Sequence, residues 1–176
     1  MSWRLQPTET GLLVVDVQEK LVAAVKEPAD WVERVEILVK AARLLEMPLA
    51  ITEQVPAKLG KTVSAVLQAA GKISPVSKNK FSAAEAGKNL GKKRVLVAGC
   101  ETHVCVRQTI YELRLREVQP VLVADAVGSR NDSDRQLALQ EMRHDGIVVT
   151  TTEAVLFELL ETAEHPKFRE IQALIK

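Results

Sequence analysis

The chain holds few of the residues that usually announce chemistry. Its 176 residues include two cysteines, Cys100 and Cys105, and three histidines, His103, His144 and His165. Two cysteines are too few for a disulfide framework, and they do not form a C-x-x-C pair; such sparse use fits a reducing compartment. The histidines lie far apart without ligand spacing, so no metal is expected. Neither sign of charge dominates. The 24 Lys and Arg are matched by 23 Asp and Glu, for a formal net charge of +1, which leaves no electrostatic case for nucleic acid or an anionic membrane as partner. No apolar run approaches the ~20 residues that cross a bilayer, and the opening Met1-Ser-Trp-Arg-Leu-Gln6 carries no signal core. Aromatic residues make up 3%; nothing around Trp3 or Trp31 suggests a stacking platform, and both are read as packing residues. Repeats, low-complexity tracts and Pro/Gly-rich linkers are also missing. The expectation is one soluble, cytosolic domain over residues 1–176.

What the chain does have is alternation. Short β-branched runs predict strands over 12–15, 49–52, 73–77, 94–98, 121–124 and 147–150, with Pro75 interrupting the third. Amphipathic spacing predicts helices over 30–46, with Asp30 as N-cap, and over 62–70, 82–90, 102–116, 133–145 and 168–175. Ser133 is read as the cap of its helix, Thr152-Glu153 opens another helix, and 53–60 reads as a loop. Strands alternating with helices imply a three-layer α/β/α, Rossmann-like fold with a mostly parallel sheet of about six strands. In such sheets the functional crevice lies beyond the C-terminal ends of the strands. Asp16, Glu53, Lys78, Cys105 and Asp125 are each predicted just past such an end.

Cys105 is the most informative of these. A strand runs into Gly99, Thr102 reads as a helix N-cap, and Cys105 follows in the first turn, where free N–H groups and the helix dipole favour a thiolate. Selective labelling of Cys105 by an electrophilic thiol probe well below an ordinary thiol pKa of about 8.5 would mark an active site, and sluggish labelling a scaffold. A free cysteine is more commonly a small buried hydrophobe, a lone Lys78 a solvated surface residue, and a lone Asp16 a turn residue. Together they make a nucleophile, a proton acceptor and a cation that holds their charges. Glu53, Gln54, Phe81 and His103 are candidates for lining the substrate pocket. Asp125 is expected to hydrogen-bond its own turn.

Three motifs carry a resemblance. Leu13-Val-Val-Asp-Val-Gln18, Lys78-Asn-Lys-Phe-Ser-Ala83 and Gly99-Cys-Glu-Thr-His-Val-Cys-Val106 resemble, in order, the aspartate, lysine and nucleophile segments of the isochorismatase-like superfamily of cysteine hydrolases. That superfamily includes nicotinamidases and N-carbamoylsarcosine amidases. Val123-Ala-Asp-Ala-Val-Gly-Ser129 is similar to the family's next strand and turn. The segments 52–60 and 165–171 resemble a subgroup of isochorismatase-domain hydrolases without a settled substrate. The resemblance implies catalytic roles for Asp16, Lys78 (rather than Lys80) and Cys105, with Cys100 structural. It also implies a cis bond between Cys100 and Glu101, and an oxyanion hole from the backbone N–H groups of Glu101 and Cys105. Where nicotinamidases carry an Asp-x-His-x-x-His metal site, this chain reads Thr52-Glu-Gln-Val-Pro-Ala-Lys58. No catalytic metal or cofactor is therefore expected, and nicotinamide is a poor substrate. The implied reaction is hydrolysis of a C–N bond, amide or related, in a small molecule through a thioester-type intermediate. The alternatives are vinyl-ether hydrolysis with Asp16 as acid, or a non-catalytic binding or scaffold protein. The family also implies a homo-oligomer.

Overall fold

The computed structural model describes residues 4–26 and 28–176; the packing role expected of Trp3 lies outside the described residues. The strands are β1 (Thr10–Val15), β2 (Leu49–Gln54), β3 (Val76–Lys78), β4 (Arg94–Cys100), β5 (Gln119–Gly128) and β6 (Val148–Thr150). The α-helices are α1 (Glu19–Ala24), α2 (Trp31–Leu44), α3 (Pro56–Leu59), α4 (Ser64–Ala70), α5 (Ala84–Lys88), α6 (Arg107–Leu115), α7 (Asp132–His144), α8 (Thr152–Leu160) and α9 (Phe168–Leu174). All six strands pair in parallel, in the order β3-β2-β1-β4-β5-β6. The chain builds outward from β1 to β3, then crosses to β4 on the other side of β1. That reversal opens a crevice between the ends of β1 and β4, where open α/β sheets place their sites.

Both faces of the sheet are covered. Leu12 and Val14 of β1 join a core with α2, α4, α8 and α9, which includes Trp31, Leu38, Val66 and Leu156; Leu13 and Val15 join a second core with α5, α6 and α7, which includes Ile110, Leu113 and Met142. Burial on two faces is why β1 reads as an unbroken apolar run rather than an alternation. Trp31 is 2% exposed and packs in the first core.

Several boundaries move for local reasons. The third strand starts at Val76, just beyond Pro75, which has no N–H for the ladder. Glu53 and Gln54 belong to β2, and 56–59 forms a helical turn instead of open loop. Asp30 stands at the N-cap position of α2 but turns its carboxylate to Arg34, while α7 starts at Asp132 after Asn131, leaving Ser133 inside it. The fifth strand is far longer than 121–124. Val97 pairs with Leu122 but Gly99 with Val127, so β5 carries a bulge and then re-pairs. Asp125 sits in that bulge. Its Oδ1 accepts from Thr152 N (2.8 Å) and Thr152 Oγ1 (2.9 Å), which caps α8 rather than its own turn.

The β1 and β4 ends approach very closely. Gly99 has φ +118°, and a Cβ there would lie 1.9 Å from the carbonyl oxygen of Val15. Only glycine fits. This contact sets the end of β1, and Asp16 beyond it, against the segment that carries Cys105.

Candidate active site

Asp16 leaves β1 with φ +52° and is fully buried. The turn is held from both sides: Gln18 N donates to Asp16 O (2.8 Å), and Cys100 Sγ donates to the same carbonyl (3.1 Å). Cys100, also fully buried, thus has a structural contact. The Asp16 carboxylate accepts from Thr52 Oγ1 at Oδ1 (2.8 Å), from Lys78 Nζ at Oδ2 (2.6 Å) and from the Cys105 thiol. Lys78 reaches it from the last position of β3, its side chain 10% exposed. The ammonium also donates to Gln54 Oε1 (2.7 Å), Phe81 O (2.9 Å) and, more weakly, Lys80 O (3.2 Å). The carboxylate, the ammonium and the sulfur therefore meet at the crevice between β1 and β4.

Cys105 does not sit in a regular first helical turn. Residues Thr102–Val106 form a π-helical turn that leads into α6, with Val106 N donating to Glu101 O (3.1 Å). Such turns recur at functional sites. Thr102 is not the cap; its hydroxyl donates to Gly128 O (3.0 Å). The peptide bond Cys100–Glu101 is cis. The Glu101 backbone N–H is hydrogen-bonded to the Cys105 sulfur.

The electrostatics correct the expectation of a resting thiolate. Burial first, and then the Asp16 charge, push the Cys105 thiol up to about 12, against the opposing pull of Lys78 and Glu101 N–H. At 6% exposure, with a carboxylate alongside, the sulfur keeps its proton and donates it to Asp16. Burial likewise raises Asp16 above the usual carboxylate range, and Lys78, Thr52 and Cys105 offset only part of that.

The four expected pocket residues stand differently. Glu53 is buried, and its Oε1 accepts from Thr62 N (2.6 Å) and Thr62 Oγ1 (2.8 Å), so it anchors the following segment. Gln54 is buried and serves Lys78. His103 pairs Nδ1 with Ser129 Oγ (3.0 Å) and is 3.9 Å from Asp134, which turns it toward the N-terminus of α7. Phe81 is 52% exposed, and its backbone carbonyl helps hold Lys78, so it is not a core residue. Glu101 extends from the cis bond to a two-pronged pair with Arg130 (2.9 and 2.8 Å). Burial disfavours its charge, but Arg130 outweighs this and holds the carboxyl below the usual range.

A cleft of about 460 Å³ opens beside the site between β2, β3 and α5, with Ala50, Val76, Ala86 and Leu90 along it and Thr52 and Lys78 at its wall. None of Glu53, Gln54, Phe81 or His103 lines it. Among the described residues, no group of three or more His, Cys, Asp or Glu side chains is arranged to hold a metal ion, and no helix is long and apolar enough to cross a membrane. Thr52 and Gln18 are the site residues that pattern reading overlooked. Each is a polar residue at the end of an apolar run, but the bonds that tie them to the site span 36 positions and leave no local pattern.

Comparison with known proteins adds to this geometry. The isochorismatase domain model matches residues 10–154. The chain is 38% identical over 177 residues to isochorismatase domain-containing protein 1 of Salmo salar, covering 98% of this chain and 62% of that one, so it spans under two thirds of that relative's length. It is 39% identical to isochorismatase domain-containing protein 2A of Mus musculus, covering 98% of this chain and 85% of the relative. Among solved structures, the MAR1 ribonuclease of Caenorhabditis elegans superposes with a TM-score of 0.92 at 37% identity, covering 98% of this chain and 92% of that one. The YcaC gene product of Escherichia coli, described as an octameric hydrolase of unknown specificity, matches in fold at a TM-score of 0.86 and 23% identity, over 98% of this chain and 96% of that one.

Proposed function

The chain belongs to the isochorismatase domain family, and on that premise we propose that it is a cysteine hydrolase that cleaves a C–N bond, amide or related, in a small molecule. The observation that carries this reading is the Cys105 thiol hydrogen-bonded to a buried carboxylate that also holds Lys78 at 2.6 Å. A neutral thiol touching its own proton acceptor needs no resting thiolate.

In the proposed sequence Asp16 takes the thiol proton as Sγ attacks the carbonyl carbon. The developing oxyanion is held by the N–H groups of Glu101 and Cys105, donors of a kind that typically contribute ~10²–10³ each in rate. Asp16 returns the proton to the departing amine, leaving a thioester. The carboxylate then draws a proton from water as it attacks, and the acid leaves as the thiol re-forms. Lys78, bonded to Asp16 Oδ2, keeps the carboxylate oriented throughout. We read the assembly as a cytosolic homo-oligomer of one such domain per chain; the octameric Escherichia coli relative supports the assembly.

The test is a panel of small amides and ureides run on wild type and Cys105→Ala, with a vinyl ether and an RNA as further arms. The expected result is C–N hydrolysis by wild type and a loss of at least ~10³-fold in the variant. Full activity in Cys105→Ala on any arm would overturn the covalent mechanism, and with the vinyl ether it would establish Asp16 as an acid working alone. RNA is expected to stay intact. A solved relative is described as a ribonuclease, but a net charge of +1 supplies little attraction for a phosphate backbone.

A further inference from the structure

Gln54 carries an unusual share of the buried hydrogen bonds at the end of β2. Its side-chain Nε2 donates to Asn79 O (2.8 Å), which fixes the amide so that Oε1 faces Lys78 Nζ (2.7 Å). Its backbone is gripped by Gln18, two residues past Asp16. Gln18 Oε1 accepts from Gln54 N (2.7 Å), and Gln18 Nε2 donates to Gln54 O (3.1 Å) and Gly60 O (2.7 Å). The Gln18 side-chain amide thus pairs with Gln54 much as another strand would, just where β1 has ended. Val55, the next residue, is a β-branched side chain held at φ 37°, ψ 65°. Strain of this kind persists only where surrounding contacts dictate it. Val55 N also donates to Lys78 O (3.0 Å).

We infer that Gln18 and Gln54 form a clasp that positions the Lys78 ammonium on Asp16, with Gln54 as the positioning residue and Gln18 as its anchor. The inference rests on the hydrolase reading of the same site. The clasp joins the turn after β1 to the end of β3, the two points from which the carboxylate and the ammonium reach one another. A neutral amide oxygen suits the place. It takes one ammonium proton without adding a second anion to compete for the cation. The charged and titratable groups around Asp16 are Lys78 from β3, Cys105 from the π-turn and Cys100 from the end of β4. Gln54 adds no charge to that set.

The experiment measures alkylation of Cys105 by iodoacetamide across pH, read by intact mass, in wild type, Gln54→Glu and Gln54→Met, with thermal melts alongside. The wild-type rate should rise on an acid limb as Asp16 loses its proton, then level. Gln54→Glu keeps the acceptor but adds a negative charge, so the limb moves to higher pH and the rate at a fixed pH on it falls ~3–10-fold, with the plateau retained. Gln54→Met keeps the approximate shape but drops both the acceptor for Lys78 and the donor to Asn79 O; the plateau falls ~10-fold and the limb stays near its wild-type place. If Gln54→Met does not fold, Gln54→Asn, one methylene short of Lys78, gives the plateau in its place. Variants that melt lower while the limb of Gln54→Glu and the plateau of Gln54→Met stay unmoved would reduce Gln54 to a structural residue and overturn the inference, leaving the hydrolase reading intact. A wild type without an acid limb would overturn both.

Discussion

A thiol that holds its proton is the most consequential residue-level feature. Helix position alone argues for a low pKa at Cys105, yet the thiol is pushed up to about 12, because burial and the neighbouring Asp16 charge outweigh Lys78 and one backbone N–H. Reactivity then depends on how readily Asp16 accepts a proton, and Thr52 becomes a control point. Its hydroxyl donates to Oδ1 at 2.8 Å and is one of the contacts that oppose the upward push of burial. Thr52→Val removes that bond with little change of shape. The Asp16 pKa should rise further, so the acid limb of Cys105 alkylation, and of kcat/KM with a substrate in hand, should move to higher pH while Tm falls by a few degrees. An unmoved limb would mean that Asp16 is not the group that titrates. The three reactive side chains were legible in the sequence because each lies at or beyond the end of a strand. The partners that tune them were not. Thr52 and Gln54 act on residues 24 to 36 positions away, and bonds of that span leave no local pattern.

At the scale of elements, two junctions invite a measurement, one beside the site and one away from it. The turn from β2 into α3 is strained. A β-branched residue in the left-handed region costs ~1–2 kcal/mol, and Val55 is only half-buried. Val55→Asn should recover about 1 kcal/mol in urea unfolding, since Asn tolerates that conformation. Destabilisation would show that the valine side chain is needed there for packing. The second junction is the start of α8, where Asp125 reaches out of the β5 bulge to receive both the N–H and the hydroxyl of Thr152. Asp125→Ala should cost about 1–2 kcal/mol, as a lost helix cap does, and should leave Cys105 alkylation unchanged. Alternation and apolar runs made most strands and helices legible. The bulge did not show, because residues past 124 look like a turn until the ladder resumes at Val127 opposite Gly99. The π-turn did not show either, since it is one residue wider than the helix whose spacing the sequence satisfies.

For the whole molecule, the two buried thiols make stability depend on pH in a direction set by their sign. Both are pushed above an ordinary thiol, Cys105 to about 12 and Cys100 well up as well, each chiefly by burial. A group whose pKa is raised by folding contributes its full stability below the unfolded value, about 8.5 for a thiol, and loses it as pH climbs toward the folded value. Each thiol should therefore remove ~1.4 kcal/mol per pH unit above about 8.5. Asp16, also raised by folding, follows the same rule lower down, its contribution declining as pH rises past the carboxylate range. Glu101 runs the other way. Held low by Arg130, its contribution is present at neutral pH and lost as pH falls through its folded pKa. Urea titrations at pH 7.5, 9 and 10 should show the folded state weakening steeply on the alkaline side. Cys105→Ser should remove about 2 kcal/mol of the loss between pH 8.5 and 10, with a further part going in a variant that also lacks Cys100. Equal alkaline slopes for wild type and Cys105→Ser would mean that the sulfur already ionises in the folded protein near its ordinary pKa, and the neutral thiol donating to Asp16 would have to be abandoned.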